Sequence, residues 1–117
     1  MISIDKVISH IPTNDLRVTQ EFFVTNFEFT TIVETDNYIE LKNSSFTLGL
    51  LVAGKKINGQ SIYFQVSNIE SVWQNIKPNV SNYKHKELFT QDYGMKEFHV
   101  IIPETETLLM VGEPTNA

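Results

Sequence analysis

The stretch Ser9–Leu16, SHIPTNDL, is a mostly apolar run that breaks into a polar helix start. The same pattern recurs at Ile62–Ile69, IYFQVSNI. Superposing the two stretches at their last residues also places Phe23 on Ile76. A repeat near half the chain length indicates two copies of one supersecondary unit, which must stack to bury their apolar faces. The repeat therefore predicts two half-sheets with a cleft between them, where ligand sites tend to lie.

The composition is that of one globular domain. The 117 residues are 41% hydrophobic and 11% aromatic and include no cysteine, which is enough for one core and excludes disulfides and zinc–thiolate sites. The sequence has neither a signal segment nor an apolar run long enough to span a bilayer, so we expect a cytoplasmic protein that does not contact membranes. The net charge is −5 and the nine basic residues are scattered. This disfavours nucleic acid as a partner and slightly favours neutral or cationic ligands.

The first repeat, about residues 5–53, predicts a strand, a helix and three more strands. A strand at Val7–Thr13 is followed by Asn14 and Asp15, which can cap a helix running from about Leu16 to Thr25. Turn residues then separate three strands, predicted at Thr30–Glu34, Tyr38–Lys42 and Phe46–Val52. The segment Ala53–Gly59 is the best candidate for a linker.

The second repeat, about residues 60–113, predicts the same order. A strand at Ser61–Val66 precedes a helix in which Ser67 and Glu70 form a capping box and Pro78 marks the end. The buried stripe of that helix is predicted at Ile69, Val72, Trp73 and Ile76. The three strands that follow the helix are predicted at Tyr83–Phe89, Lys96–Ile102 and Thr107–Val111. We therefore expect a single α+β domain over residues 1–117. In it, two βαβββ modules form a curved mixed sheet around a cleft, with the helices outside.

Three segments also carry a family resemblance. The first is Asn14–Leu16 followed by Phe22–Phe29. The second is Tyr93–Phe98 (YGMKEF), and the third is the terminal hairpin Pro103–Glu113. They resemble the vicinal oxygen chelate superfamily, which includes glyoxalases, bleomycin-resistance proteins and extradiol dioxygenases. The resemblance implies the βαβββ repeat and a homodimer. Two glycines of the family pattern are absent, at Glu28 and within Glu104–Glu106, and we expect the hairpin to lose an easy positive φ there.

Metal-dependent members of that superfamily hold a divalent ion with His, Glu or Gln side chains from four strands. Counting from the matching segments, those positions fall at Ile8, roughly Leu48, Ser61 and Leu109, and none is a strong ligand. A register shifted by two residues would bring His10 and Glu113 together, with Tyr63 or Gln65 as a third ligand. We expect neither a metal ion nor a cofactor.

Strand alternation and the family register predict which side chains face the cleft: His10, Phe46, Tyr63, Gln65, Glu97, His99 and Glu113. This mixture of aromatic and polar groups suits an amphipathic, cationic small molecule. Simpler, structural interpretations apply to other residues and to Glu97. Trp73 is expected in the core, His85 at the surface, and Glu97 could lie on an exposed strand face.

The function we favour is metal-independent binding or sequestration of a small molecule, such as a cationic drug, as in proteins that confer antibiotic resistance. No catalytic constellation stands out in the sequence. One alternative is a divergent metal-dependent lyase, isomerase or dioxygenase of the same superfamily. The other is an effector-binding or interaction module.

Overall fold

The structure is a computed structural model that describes residues 1–54 and 59–115. The chain divides into two compact units, Met1–Ile57 with Pro103–Thr105, and Asn58–Ile102 with Glu106–Ala117. Each unit contains a strand, a helix and three further strands, so the predicted α+β fold with two βαβββ modules is confirmed. Most of the predicted linker, residues 55–58, lies outside the described residues. Neither helix in the described ranges is long and apolar enough to cross a membrane.

The first unit forms a four-stranded sheet in the order β1-β4-β3-β2. Its elements are β1 (Ile8–Thr13), α1 (Leu16–Phe27), β2 (Thr30–Glu34), β3 (Tyr38–Asn43) and β4 (Phe46–Val52). The first and last strands pair in parallel, and the other pairs are antiparallel. Asp15 accepts hydrogen bonds from the backbone N–H groups of Arg17 and Val18, which confirms the predicted cap.

One face of this first sheet packs against α1. Leu41 pairs with Leu48 and Ile39 with Leu50 across β3 and β4, and all four are buried with Phe23 in the core. Paired residues on neighbouring strands point to the same face, and their neighbours along the strand point to the other. The far face of each sheet, turned away from its own helix, is therefore defined by the alternate residues.

The second unit repeats this topology in the order β5-β8-β7-β6. Its elements are β5 (Gln60–Gln65), α2 (Ile69–Val80), β6 (His85–Thr90), β7 (Met95–Ile101) and β8 (Thr107–Pro114). The first and last strands of this module along the chain, β5 and β8, again pair in parallel. The predicted strands are confirmed, with ends shifted by up to three residues.

Both predicted signals for the ends of α2 are wrong. The N-cap is Asn68, with φ 59° and no capping bond from its own side chain, and Glu70 forms an ion pair with Lys96. The carboxylate of Glu113 accepts the N–H groups of Asn68 and Ile69 instead, each at 3.0 Å. The helix also continues through Pro78 to Val80, a residue that is fully buried in the core.

Trp73 lies in the core of the second unit, as predicted. Its ring packs on Phe98 with the centroids 4.8 Å apart, and its exposed fraction is 4%. His85 was expected at the surface, but it is half-buried. The His85 ring lies 6.2 Å from that of Trp73, because the pairing of His85 with Val100 turns it to the helix side of the sheet.

The two glutamates that replace glycines both keep a left-handed backbone. Glu28 has φ 56° at the end of α1, and Glu104 has φ 65° before β8. The expectation that the hairpin loses its positive φ is therefore wrong. The backbone around Glu104 is held within the first unit, where its carbonyl accepts the N–H of Asn14 at 2.9 Å and the carbonyl of Pro103 accepts the hydroxyl of Thr19 at 3.0 Å.

Candidate functional site

The far face of the second sheet gathers most of the predicted binding residues. Glu97 pairs with Gly112, and Gly112 pairs with Gln65 on the other side. One step along the sheet, Met110 lies between His99 and Tyr63. The pleat therefore directs Tyr63, Gln65, Glu97 and His99 to the same face. Tyr63 and Gln65 were predicted on this side from strand alternation, and Glu97 and His99 from the family register.

Glu97 is the centre of this face and is completely buried. Its Oε2 accepts the Tyr63 hydroxyl at 2.6 Å. Its Oε1 accepts the Gln91 amide at 3.0 Å, the Tyr93 hydroxyl at 2.8 Å and Nε2 of His99 at 2.7 Å. A buried carboxylate without partners would be very costly, and here four side chains satisfy it. The interpretation of Glu97 as an exposed strand residue is wrong.

These hydrogen bonds keep Glu97 ionised. Burial acts to raise its pKa, but the hydrogen bonds from the two tyrosines, His99 and Gln91 outweigh burial and lower the pKa from 4.5 to about 2. Burial and the neighbouring carboxylate raise the pKa of Tyr63 well above its ordinary value. The hydrogen bond to Glu97 likewise raises the pKa of Tyr93. At neutral pH Glu97 therefore contributes a fixed negative charge, and Tyr63 and Tyr93 are neutral phenols.

Gly112 makes this arrangement possible. A Cβ atom at this position would collide with the hydroxyl of Tyr63 and lie 3.0 Å from Cβ of Glu97. The glycine thus leaves the space in which the Tyr63 hydroxyl reaches the carboxylate. Gly49 has the same place in the first sheet, where a Cβ would lie 2.7 Å from both Cδ2 of His10 and Oη of Tyr38.

An aromatic and cationic group borders His99. The Phe89 ring meets the His99 ring edge-on, with centroids 5.2 Å apart. The ammonium of Lys86 lies 3.9 Å from the centre of the Phe89 ring, which is a cation–π contact. This face therefore also carries a lysine ammonium beside His99.

The far face of the first sheet holds a smaller polar cluster. Glu40 accepts the Tyr38 hydroxyl at 2.7 Å and the Lys6 ammonium at 3.1 Å, and these bonds lower the pKa of Glu40. Burial, followed by the bond to Glu40, raises the pKa of Tyr38 to about 12. His10 pairs with Gly49 on this face and packs edge-on against Tyr38 at 6.0 Å.

The structure places two predicted binding residues on the helix side of their sheets. Phe46 follows the alternation of Leu48 and Leu50 and is 72% exposed at the start of β4. Glu113 follows that of Leu109 and Val111, and both of its carboxylate oxygens bind the N-terminus of α2. The predicted orientation of both side chains is therefore wrong.

The predicted metal positions are displaced in the same way. Leu48 and Leu109 are buried on the helix side, so the counting on β4 and β8 was out by one residue. The shifted register that would join His10 and Glu113 fails because Glu113 caps α2. Within residues 1–54 and 59–115, no group of three His, Cys, Asp or Glu side chains could hold a metal ion. The side chains at the four counted positions, Ile8, Leu48, Ser61 and Leu109, offer no strong ligand for a divalent ion.

Sequence reasoning missed two donors of the Glu97 cluster. Gln91 and Tyr93 belong to the turn between β6 and β7, where the N–H of Gly94 bonds the Gln91 carbonyl at 3.0 Å. Tyr93 opens the YGMKEF segment, so its position in that motif was the one available signal. In the first unit, Lys6, Tyr38 and Glu40 were also missed.

Comparison with solved structures identifies the fold. A bleomycin resistance determinant encoded on the transposon Tn5 superposes with a TM-score of 0.77 at 14% identity, covering 97% of this chain and 100% of that one. A bleomycin-binding protein from Streptomyces verticillus, complexed with copper(II)-bleomycin, gives 0.75 at 13% identity, with coverage of 95% and 97%. A lactoylglutathione lyase from Agrobacterium tumefaciens gives 0.75 at 10% identity, with coverage of 95% and 95%.

The chain has the fold of the vicinal oxygen chelate superfamily. No protein-family model and no curated protein matches its sequence. At these low identities the likeness establishes the bleomycin-resistance fold and leaves the function to the residues of the site.

Proposed function

We propose that this protein binds or sequesters a small amphipathic molecule, such as a cationic drug or antibiotic, without using a metal ion. The binding surface is the far face of the second sheet, around Tyr63, Glu97 and His99. The observation that carries the proposal is a rigidly hydrogen-bonded polar cluster with aromatic rings at its edge, on a fold shared with a bleomycin-binding protein.

The chemistry of this face suits binding better than catalysis. Tyr63 is 37% exposed and Tyr93 62% exposed, so both offer aromatic surface to a ligand. Their hydroxyl groups are held by Glu97, which reduces the entropy lost when a ligand immobilises them. Gln65 lies at the exposed edge of the same face. The fixed negative charge of Glu97 favours a cationic ligand.

Calorimetric titration with bleomycin tests the proposal. We expect stoichiometric binding that Tyr63→Ala weakens by about 1–3 kcal/mol, because stacking and apolar burial are lost. Tyr83→Ala is the matched control, since Tyr83 is 38% exposed and lies outside this face. Equal affinity for the wild type and Tyr63→Ala would remove this face from the proposal.

The proposal excludes a divergent metal-dependent enzyme. Elemental analysis and titration with Ni²⁺, Mn²⁺, Fe²⁺ and Zn²⁺ test whether the protein binds a metal ion. One tightly held ion per chain would favour the lyase, isomerase or dioxygenase instead. If bleomycin and other cationic aromatic compounds all fail to bind, the effector-binding module becomes the better hypothesis.

The proposal also includes a cytoplasmic homodimer in which each chain completes or borders the other's ligand site. Exposed apolar side chains such as Ile2, Ile4 and Val7 are surface that a second copy can cover. Light scattering at micromolar concentration is expected to give the mass of two chains, and the mass of one chain would contradict it.

A further inference from the structure

The hydrogen bonds around Glu97 have a direction that the carboxylate itself fixes. An ionised carboxylate only accepts hydrogen bonds, so every one of its partners must donate. Oε2 accepts from Tyr63, and Oε1 accepts from Gln91, Tyr93 and His99 at 2.7–3.0 Å. His99 therefore carries a proton on Nε2, and the two tyrosine hydroxyl groups point their hydrogens inward.

A phenol or a neutral imidazole that donates inward keeps only acceptor capacity outward. A neutral imidazole with its proton on Nε2 presents a lone pair at Nδ1, and a donating phenol keeps lone pairs on its oxygen. Nδ1 of His99 has no hydrogen-bond partner in residues 1–54 and 59–115. No buried polar side-chain atom in those ranges lacks a partner, so this nitrogen reaches solvent.

We propose that Glu97 sets the hydrogen-bond polarity of the far face of the second sheet, so that this face selects ligands that donate hydrogen bonds. Amidinium, guanidinium and ammonium groups fit these acceptors. Groups that only accept, such as carboxylates, meet no donor on Tyr63, Tyr93 or His99 and would have to bind the Lys86 ammonium beside them. The selectivity rests on the proposed function, because it requires a ligand on this face. Glu97 is a positioning residue, since it is completely buried and acts through Tyr63, Tyr93 and His99.

The substitution Glu97→Gln isolates this role. The amide oxygen can replace Oε1 and keep the three donors there, but the amide nitrogen then faces Tyr63 and must donate. Tyr63 has to accept that bond and turn its hydroxyl hydrogen outward. The variant therefore loses the negative charge, changes one outward acceptor into a donor, and leaves the His99 proton on Nε2.

Nitrogen-15 NMR and titration with a matched pair of probes test the inference. At pH about 8.5, where imidazoles are generally neutral, we expect the His99 resonances to show a protonated Nε2 and a bare Nδ1. Benzamidinium should bind the wild type more tightly than the isosteric benzoate. In Glu97→Gln the affinity ratio of benzamidinium to benzoate should fall about tenfold, because a hydrogen bond and a charge are lost.

Glu40→Gln is the matched control, since it removes the same charge from the tyrosine-bonded carboxylate of the first sheet. It should leave the ratio and the His99 resonances unchanged. Any of three results overturns the inference: a proton on Nδ1 of wild-type His99, benzoate binding at least as tight as benzamidinium, or equal changes in Glu97→Gln and Glu40→Gln. The first two need no variant, so they remain decisive if Glu97→Gln does not fold.

Failure of the inference and failure of the proposed function give different results. If benzoate binds this face as well as benzamidinium, the selectivity is wrong while ligand binding stands. If neither probe binds, the selectivity is overturned. The proposed function fails with it only when bleomycin also gives no binding.

Discussion

The two units share one order of elements but complete their polar groups differently. The helix of the first unit is capped by Asp15, its own neighbour in sequence, whereas α2 is capped by Glu113 from the far end of β8. In the first sheet Glu40 has a tyrosine and the Lys6 ammonium as partners, whereas in the second Glu97 is completely buried among four donors. The repeated pattern thus specifies the backbone, while the two far faces differ in how many side chains donate hydrogen bonds to the central carboxylate.

The largest expected effect is on the core of the second unit. Trp73→Ala should lower the free energy of unfolding by about 3–5 kcal/mol, because it leaves a cavity beneath α2 against Phe98. Phe46→Ala is the control, since that ring is 72% exposed and should change stability by about 0.5 kcal/mol or less. Urea unfolding measures both. A normally stable Trp73→Ala protein that no longer binds ligand would mean that the helix and ligand faces are reversed.

The next effect distinguishes the two carboxylates by pH. The pKa of Glu97 is lowered from 4.5 to about 2, so its ionised form stabilises the folded state by roughly 3 kcal/mol above about pH 5. That contribution is lost as the pH falls towards 2. Urea unfolding at several pH values should show that the stability difference between the wild type and Glu97→Gln shrinks as the pH falls from about 5 towards 2.

Glu40→Gln should show a smaller change over the same range, because Glu40 has fewer partners. The comparison between the two units would fail if both variants lost the same pH-dependent stability.

Replacing the glycine beneath each cluster with alanine should destabilise the second unit more than the first. Gly112→Ala forces the new methyl group against Tyr63 and Glu97 and should cost about 1–3 kcal/mol, as overpacking generally does. Gly49→Ala should cost less, because its neighbour His10 is exposed and can move, and because the Tyr38 hydroxyl lies farther from the new methyl group than the Tyr63 hydroxyl does at Gly112. Thermal unfolding measures both variants. Adding Tyr63→Phe should recover part of the Gly112→Ala loss, and no recovery would exclude the hydroxyl contact as the cause.

The smallest effect concerns the two helix caps. Glu113→Gln weakens the bonds to the N–H groups of Asn68 and Ile69, so hydrogen exchange at these two amides should become faster. Asp15→Asn should instead affect the amides of Arg17 and Val18. Exchange measured by NMR separates the two. Unchanged exchange in Glu113→Gln would contradict capping from β8.

The sequence was sufficient for the fold because its signals are local. Alternation, the helical stripe through Trp73 and the turn residues lie within a few positions of one another, and all eight strands and both helices appear where they predict them. The start of α2 could not be found in this way. Glu113 lies more than 40 residues from the amides that it caps, so Ser67 offered a plausible local cap that the fold does not use.

The site was predicted less completely, for two physical reasons. Strands β4 and β8 carry apolar side chains on both faces, as in Leu50-Leu51 and Leu108-Leu109-Met110, so alternation carries no information about register there. This is why the positions on β4 and β8 and the side of Glu113 were wrong. Tyr93 and Gln91 reach Glu97 from a turn, and strand periodicity cannot place turn side chains.

The most direct test of the difference between the two units is an amide chemical-shift titration of the isotopically labelled protein with bleomycin. We expect the largest shifts at Tyr63, Glu97 and His99 on the far face of the second sheet, with smaller shifts at Tyr38 and Glu40. Shifts around Tyr38 and Glu40 that equal or exceed those of Tyr63, Glu97 and His99 would contradict it.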